Sequence, residues 1–208
     1  MNIAVQHLGL CDYRDTWDRM QAYTGTRDND SPDQIWLLQH PPVYTLGLAG
    51  RTEHLLDPGD IPVINSDRGG QVTYHGPGQL IAYVLLDLRR RGLGIRALVR
   101  LLEQVLIELL AVLDIAAERR PGAPGVYVGE AKIAALGLRV RRGCSYHGLA
   151  LNVAMDLEPF ARINPCGYPG LVVTQIRDCG CDVGLEDIAQ RLVQRLRAAL
   201  DGGGPGQR

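Results

Sequence analysis

Five cysteines and one lysine frame the chemistry open to this 208-residue chain. Cys166 stands apart from Cys11, Cys144, Cys179 and Cys181. It lies in a Pro-Cys-Gly turn, followed at once by Tyr168-Pro169-Gly170. A tight turn presents its side chain for attack, and the neighbouring backbone N–H groups can hold an oxyanion. Reactive thiols occupy partly exposed, electropositive turns, whereas structural ones sit within elements. Lys132 is the lone lysine against 21 arginines. Arginine keeps its proton near neutral pH, but a buried or crowded lysine can release one. A Cys166–Lys132 pair would exchange a proton. An acyl-transferring thiol needs that help, because a free thiol titrates at about 8.5. His75 and His147 can also activate a thiol, so Cys166–His75 and Cys166–His147 pairs stay open on sequence alone.

A second constellation is the stretch RGGQVTYHGPGQL, residues 68–80. Its glycines permit positive φ and close approach of a ligand to backbone. The plain reading is a hairpin, since Gly-Pro-Gly marks any turn. Asp67, Asp87 and Asp114 read as solvated or capping. Zinc is not expected: Cys179-Gly180-Cys181 is spaced too tightly for a ligand pair, and Cys144-Ser145-Tyr146-His147 stands alone.

The elements that must position these residues follow from periodicity. A first strand is expected over 2–7 and a helix over 12–23, with Asp12 as N-cap. A continuous apolar run predicts a buried strand over 34–39. Residues 40–47 contain Pro41 and Pro42, which lack an N–H, and are read as a rigid loop or edge segment. Strands are expected on both sides of the Arg68 stretch, over 61–64 and 81–86. A long amphipathic helix covers 95–113. Residues 119–125 read as a loop or junction. A three-stranded meander follows over 126–128, 132–140 and 146–153. A short helix near 156–163, a last strand over 171–176 and a closing helix over 185–200 complete the chain. Clustered strands with helices between and after predict an α+β fold on a mixed or antiparallel sheet.

Composition excludes several classes. The chain is 46% hydrophobic and 22% charged with net charge −1, which gives no polybasic surface for nucleic acid. No basic leader with a long apolar run opens it, and no apolar stretch reaches the ~18 residues of a membrane span. The expectation is a cytoplasmic protein without structural disulfides, since five cysteines cannot all pair.

The segments QHPPVYTLG, RGGQVTYHGPGQLIAYVLLDLRR, GVYVGEAKIAALGLRVRRGCSYHGLALNV and INPCGYPG occur in this order. Together they resemble the octanoyltransferase family of lipoate biosynthesis. The resemblance implies that Cys166 is an acyl-thioester nucleophile and that Lys132 is its partner, favouring the thiolate. It implies a substrate-binding segment of Arg68, Gly69, Gly70, Gln71, Val72, Thr73, Tyr74 and His75. Two further segments are Ala135, Leu136 and Gly137, and Gly148, Leu149 and Ala150. The implied fold is similar to the catalytic domain of biotin and lipoate protein ligases, α+β with a mixed central sheet, flanking helices and a smaller subdomain. Residues 1–200 would form one acyltransferase catalytic domain, and the Gly-rich residues 201–208 a disordered tail. The implied donor is octanoyl-acyl carrier protein. The implied acceptors are lipoyl domains of 2-oxoacid dehydrogenases and the glycine-cleavage H protein. A monomer needing no metal or cofactor is expected. The rival readings are an ATP-dependent lipoate or biotin protein ligase of the same fold, an octanoyl amidotransferase acting between carrier proteins, and a non-catalytic module that binds a carrier protein.

Overall fold

The computed structural model describes residues 3–202. In chain order its elements are β1 (Ile3–Leu10), α1 (Tyr13–Thr26), β2 (Asp33–Gln39), β3 (Val43–Leu46), β4 (Val63–Asn65), β5 (Val72–His75) and β6 (Gln79–Leu85). They continue as α2 (Ile95–Ala111), β7 (Glu118–Arg120), β8 (Ala123–Val128), β9 (Ala131–Arg141), β10 (Cys144–Asn152), α3 (Glu158–Ala161) and α4 (Leu185–Asp201). A large sheet runs β1-β2-β6-β10-β9-β8-β7, and a small one runs β4-β3-β5. In the large sheet β1 and β2 are parallel and the other pairs antiparallel, so the sheet is mixed, as expected.

The apolar runs of β2 and β6 exist because both faces of the large sheet are covered. Leu80, Ala82 and Val84 of β6 turn toward α2 and α4, packing with Leu102, Leu106 and Leu192. Ile81, Tyr83 and Leu85 turn the other way, with Trp36, Leu38 and Met20 of α1. Asp12 caps α1 as expected, accepting from the N–H of Arg14 at 2.7 Å and of Asp15 at 3.2 Å. A separate small core joins Tyr44, Leu46, Val72 and Tyr74 of the small sheet to Met155, Phe160 and Ile163.

Several expectations need correction. Residues 43–46 are no edge segment: β3 is the middle strand of the small sheet, parallel to β4 and antiparallel to β5. The two prolines stop at Pro42, and all four residues of β3, Val43–Leu46, carry an N–H for the ladder. The Arg68 stretch is not a hairpin. Its middle, Val72–His75, is β5 in the small sheet, and Gly76-Pro77-Gly78 carries the chain across to β6 in the large one. Gly78 has φ 85°, and a Cβ there would lie 2.1 Å from the Ala154 carbonyl. Residues 119–125 hold the end of β7 and the start of β8 instead of a loop. Residues 171–176 form no strand; their one sheet-like contact is a parallel bridge between Val173 and Lys132. Of the expected tail, Asp201 closes α4, Gly202 caps it, and residues 203–208 lie outside the described residues. No described helix is long and apolar enough to cross a membrane.

Candidate active site

Cys166 sits in a single 3-10 turn, Pro165–Gly167, with φ 57° and ψ 15°. Such a left-handed backbone is unusual for a residue with a Cβ and costs on the order of 1 kcal/mol. Gly167 follows, also left-handed at φ 79°, and a Cβ there would press to 2.9 Å of Gln71 Cγ. The Asn164 N–H fastens the turn to the His54 carbonyl at 2.8 Å.

Lys132 lies near the start of β9 with its side chain buried. Its Nζ is 3.1 Å from Cys166 Sγ and donates to the Pro124 carbonyl at 3.0 Å. The ammonium also lies 5.1 Å from the centre of the Tyr127 ring. Gly125 makes room for it, because a Cβ there would approach Lys132 Cε to 3.0 Å. The 34 positions that separate lysine from cysteine in sequence are closed by main chain. The Lys132 N–H donates to the Val172 carbonyl at 2.9 Å, and the Thr174 N–H to the Lys132 carbonyl at 3.0 Å. The same residue thus supplies the amine and anchors the segment that follows the thiol. Burial opposes the charge on Lys132, but the adjacent thiolate form of Cys166 and the Tyr127 side chain together outweigh it and raise the ammonium pKa above its ordinary value.

Neither histidine left open as a partner binds Cys166. His75 is buried, with Nδ1 2.7 Å from Gln79 Oε1 and Nε2 3.5 Å from Thr45 Oγ1. Burial and the neighbouring His40 depress its pKa to about 3. His147 Nε2 lies 2.9 Å from Asp67 Oδ1. Asp67, read from sequence as solvated or capping, is a hub. It accepts from Trp17 Nε1 at 2.8 Å, Gln21 Nε2 at 3.1 Å and the Tyr146 hydroxyl, besides His147. Burial would raise its pKa, but these donors, His147 foremost, bring it down to about 2.

Arg68 is buried, and its guanidinium faces carbonyls instead of a carboxylate. Nε donates to Thr45 Oγ1 at 3.0 Å and Nη1 to the Gly69 carbonyl at 2.9 Å, while Nη2 reaches the Thr45 and Gln71 carbonyls, both at 2.6 Å. This fork curls residues 68–71 over the large sheet, where the Gly69 N–H meets the Leu138 carbonyl at 3.0 Å.

The result is a cavity of about 340 Å³. Cys166 and Lys132 line it, as do the three expected segments, with one exception. Tyr74 points away, into the small core with Tyr44 and Phe160. Thr73 and His75 face the cavity because strand side chains alternate. Tyr13, Ile81, Tyr83, Ile95, Val99 and Tyr168 also line it and were not singled out from sequence. Most of them are apolar or aromatic residues at helical or strand spacing, which reads equally well as core.

The lipoyl protein ligase A/B catalytic domain profile matches residues 12–197. Octanoyltransferase from Stutzerimonas stutzeri is 62% identical over 195 residues, spanning 94% of this chain and 89% of that one. The chain belongs to the octanoyltransferase family. A second family member, from Alkalilimnicola ehrlichii, is 60% identical over 199 residues, 96% of this chain and 93% of that one. Among solved structures, lipoate-protein ligase A bound with ATP superposes with TM-score 0.81 at 18% identity, covering 97% of this chain and 86% of that one. Biotin protein ligase from Aquifex aeolicus does so with TM-score 0.57 at 13% identity, covering 97% and 70%. The octanoyltransferase family fold therefore coincides with that of the two ligases, as expected from sequence.

Proposed function

We propose that this chain transfers an octanoyl group from a carrier-protein thioester to the ε-amine of a lysine on lipoyl-dependent proteins, through an acyl thioester on Cys166. The observation that carries this reading is the 3.1 Å approach of Lys132 Nζ to Cys166 Sγ at the wall of one cavity, in a member of the octanoyltransferase family. Residues 1–200 act as one catalytic unit, a cytoplasmic monomer. The acceptors are lipoyl domains and the glycine-cleavage H protein.

Cys166 gives its proton to Lys132, and the thiolate attacks the donor carbonyl. The C–S bond to phosphopantetheine breaks, and Lys132 returns the proton to the leaving thiolate. Lys132 is then a neutral amine beside the acyl-enzyme. In the second half the acceptor amine attacks the acyl carbon, a C–N bond replaces the C–S bond to Cys166, and Lys132 takes the amide-forming proton. Thiolate and ammonium are restored. The first half exchanges one thioester for another, and the second converts a thioester to a more stable amide, so no ATP is required. Apolar walls such as Ile81, Leu136, Leu149 and Ala150 suit the alkyl chain, whose burial contributes about 0.8 kcal/mol per CH₂.

The test is incubation with octanoyl-acyl carrier protein without ATP or magnesium, read by intact-protein mass spectrometry, followed by addition of a lipoyl domain. We expect an octanoyl adduct on Cys166 that passes to the domain and is absent from Cys166→Ser. An adduct that persists in Cys166→Ser, or transfer that needs ATP, overturns the reading.

A further inference from the structure

An acceptor lysine arrives as an ammonium and leaves as an amide N–H, so it sheds two protons. In the acyl-enzyme described above, Lys132 has room for one. We propose that His147 Nδ1 receives the other, deprotonating the incoming ammonium, with Asp67 stabilising the imidazolium. The inference rests on the acyl-enzyme reading and adds a second base to it.

Five side-chain atoms among the described residues are buried without a hydrogen-bond partner, and of these His147 Nδ1 alone belongs to a residue lining the cavity. Its other nitrogen, Nε2, faces Asp67 Oδ1 at 2.9 Å. A carboxylate held ionised only accepts, so Nε2 carries the proton and Nδ1 a free lone pair. The other buried histidines have none to spare. His75 engages Gln79 and Thr45, and His40 lies 2.7 Å from both the Cys11 carbonyl and the Tyr83 hydroxyl.

The backbone is bent to achieve this. Successive side chains of a strand point to opposite faces, yet Tyr146 and His147 both reach Asp67, their rings 5.1 Å apart and only 27° from parallel. His147 manages it with φ 58°, a left-handed value inside β10. The paired register of β10 with β6 starts only at Gly148. Next to the gap, Ser145 Oγ accepts from the Leu86 N–H at 3.2 Å and donates to the Val84 carbonyl at 2.8 Å. Left-handed strain of this size persists where the surroundings enforce it, and it is concentrated at functional sites.

The charged or titratable groups acting on His147 are Asp67 and Arg68, with the rings of Tyr83 and Tyr146 against its own, and His40 and His75 farther off. In the step itself, the ammonium N–H bond breaks and Nδ1–H forms. The freed amine attacks, the C–S bond to Cys166 breaks as C–N forms, and the second proton passes to Lys132. The imidazolium then releases its proton to water at the partly exposed edge of Asp67.

The experiment loads Cys166 with octanoyl-pantetheine, adds a lipoyl domain, and follows both half-reactions by mass spectrometry between pH 6 and 9. His147→Gln keeps a donor for Asp67 and lacks the Nδ1 acceptor. We expect amide formation at pH 6.5 to fall about 100-fold, the range of one general base. Loading should fall far less, and the defect should shrink toward pH 9, where more amine arrives neutral. His147→Asn, which tolerates a left-handed backbone, guards against misfolding of the glutamine variant and should behave alike. Equal losses in both halves with an unchanged pH profile, or no loss at all, overturn the inference. Failure of the wild-type chain to form a Cys166 adduct would instead sink the acyl-enzyme reading, and this inference with it.

Discussion

At the scale of single residues, Lys132 and Cys166 are tied by charge, and the sign of that tie can be measured. The raised pKa of Lys132 means that the ion pair stabilises the folded chain below the ordinary lysine pKa, and that this is lost as pH rises through the raised value. Removing the thiol leaves burial opposed by Tyr127. In Cys166→Ala the Lys132 amine should titrate lower than in the wild type. Nitrogen-15 lysine NMR reads this from one resonance, because the chain has one lysine. Equal titration in both proteins would remove the thiol as the cause. Lys132→Arg keeps the charge but cannot shuttle the proton, so turnover at pH 7 should drop about 100-fold or more. Both residues were legible in the sequence, one through its Pro-Cys-Gly turn and the other through its solitude among arginines. Asp67 was not. Its four partners come from α1 and β10, 46 to 80 residues away, and no local pattern records them.

At the scale of elements, glycines decide where two pieces of backbone can meet. A Cβ at Gly78 would lie 2.1 Å from a carbonyl oxygen, at a φ of 85°. Gly78→Ala should therefore cost on the order of 2 kcal/mol or more in chemical denaturation, by forcing apart the crossing between the two sheets. Gly167→Ala meets Cγ of the Gln71 side chain, not backbone, at a φ of 79°. Its larger effect should be on acyl-adduct formation, through displacement of the Cys166 turn, with a smaller shift in the denaturation midpoint. The long helices and the doubly covered strands were readable because each carries its own period. The segment over 171–176 was misread as a strand. An apolar run announces burial, but one bridge to Lys132 is all the sheet that reaches it. The short β3 was hidden by its prolines, and its central place depends on β4 and β5, which join it from farther along the chain.

At the scale of the whole molecule, the buried histidines set a limit on acid tolerance. Burial depresses His40 to about 4 and His75 to about 3, against about 6.5 in an unfolded chain. Between these values the unfolded state binds more protons, so the stability from keeping the rings neutral is complete above pH 6.5 and drains as pH falls. Each ring contributes a slope of up to about 1.4 kcal/mol per pH unit. Urea midpoints should decline steadily from pH 6.5 to 4.5, and a flat profile would contradict the buried neutral rings. The fold class was legible at this scale from the clustering of strands between helices. The division into two sheets was not, because the switch falls inside a motif that reads as one hairpin. The solitary, buried lysine has a last consequence. A catalyst that acylates amines is exposed to its own chemistry whenever loaded copies collide. Here the surface cations are guanidinium groups, which thioesters do not acylate, and the one ε-amine is enclosed beside its thiol. Apart from its own amino terminus, the chain offers neighbouring copies no nucleophilic amine, and a concentrated stock left with excess donor should accumulate no amide adducts beyond that terminus.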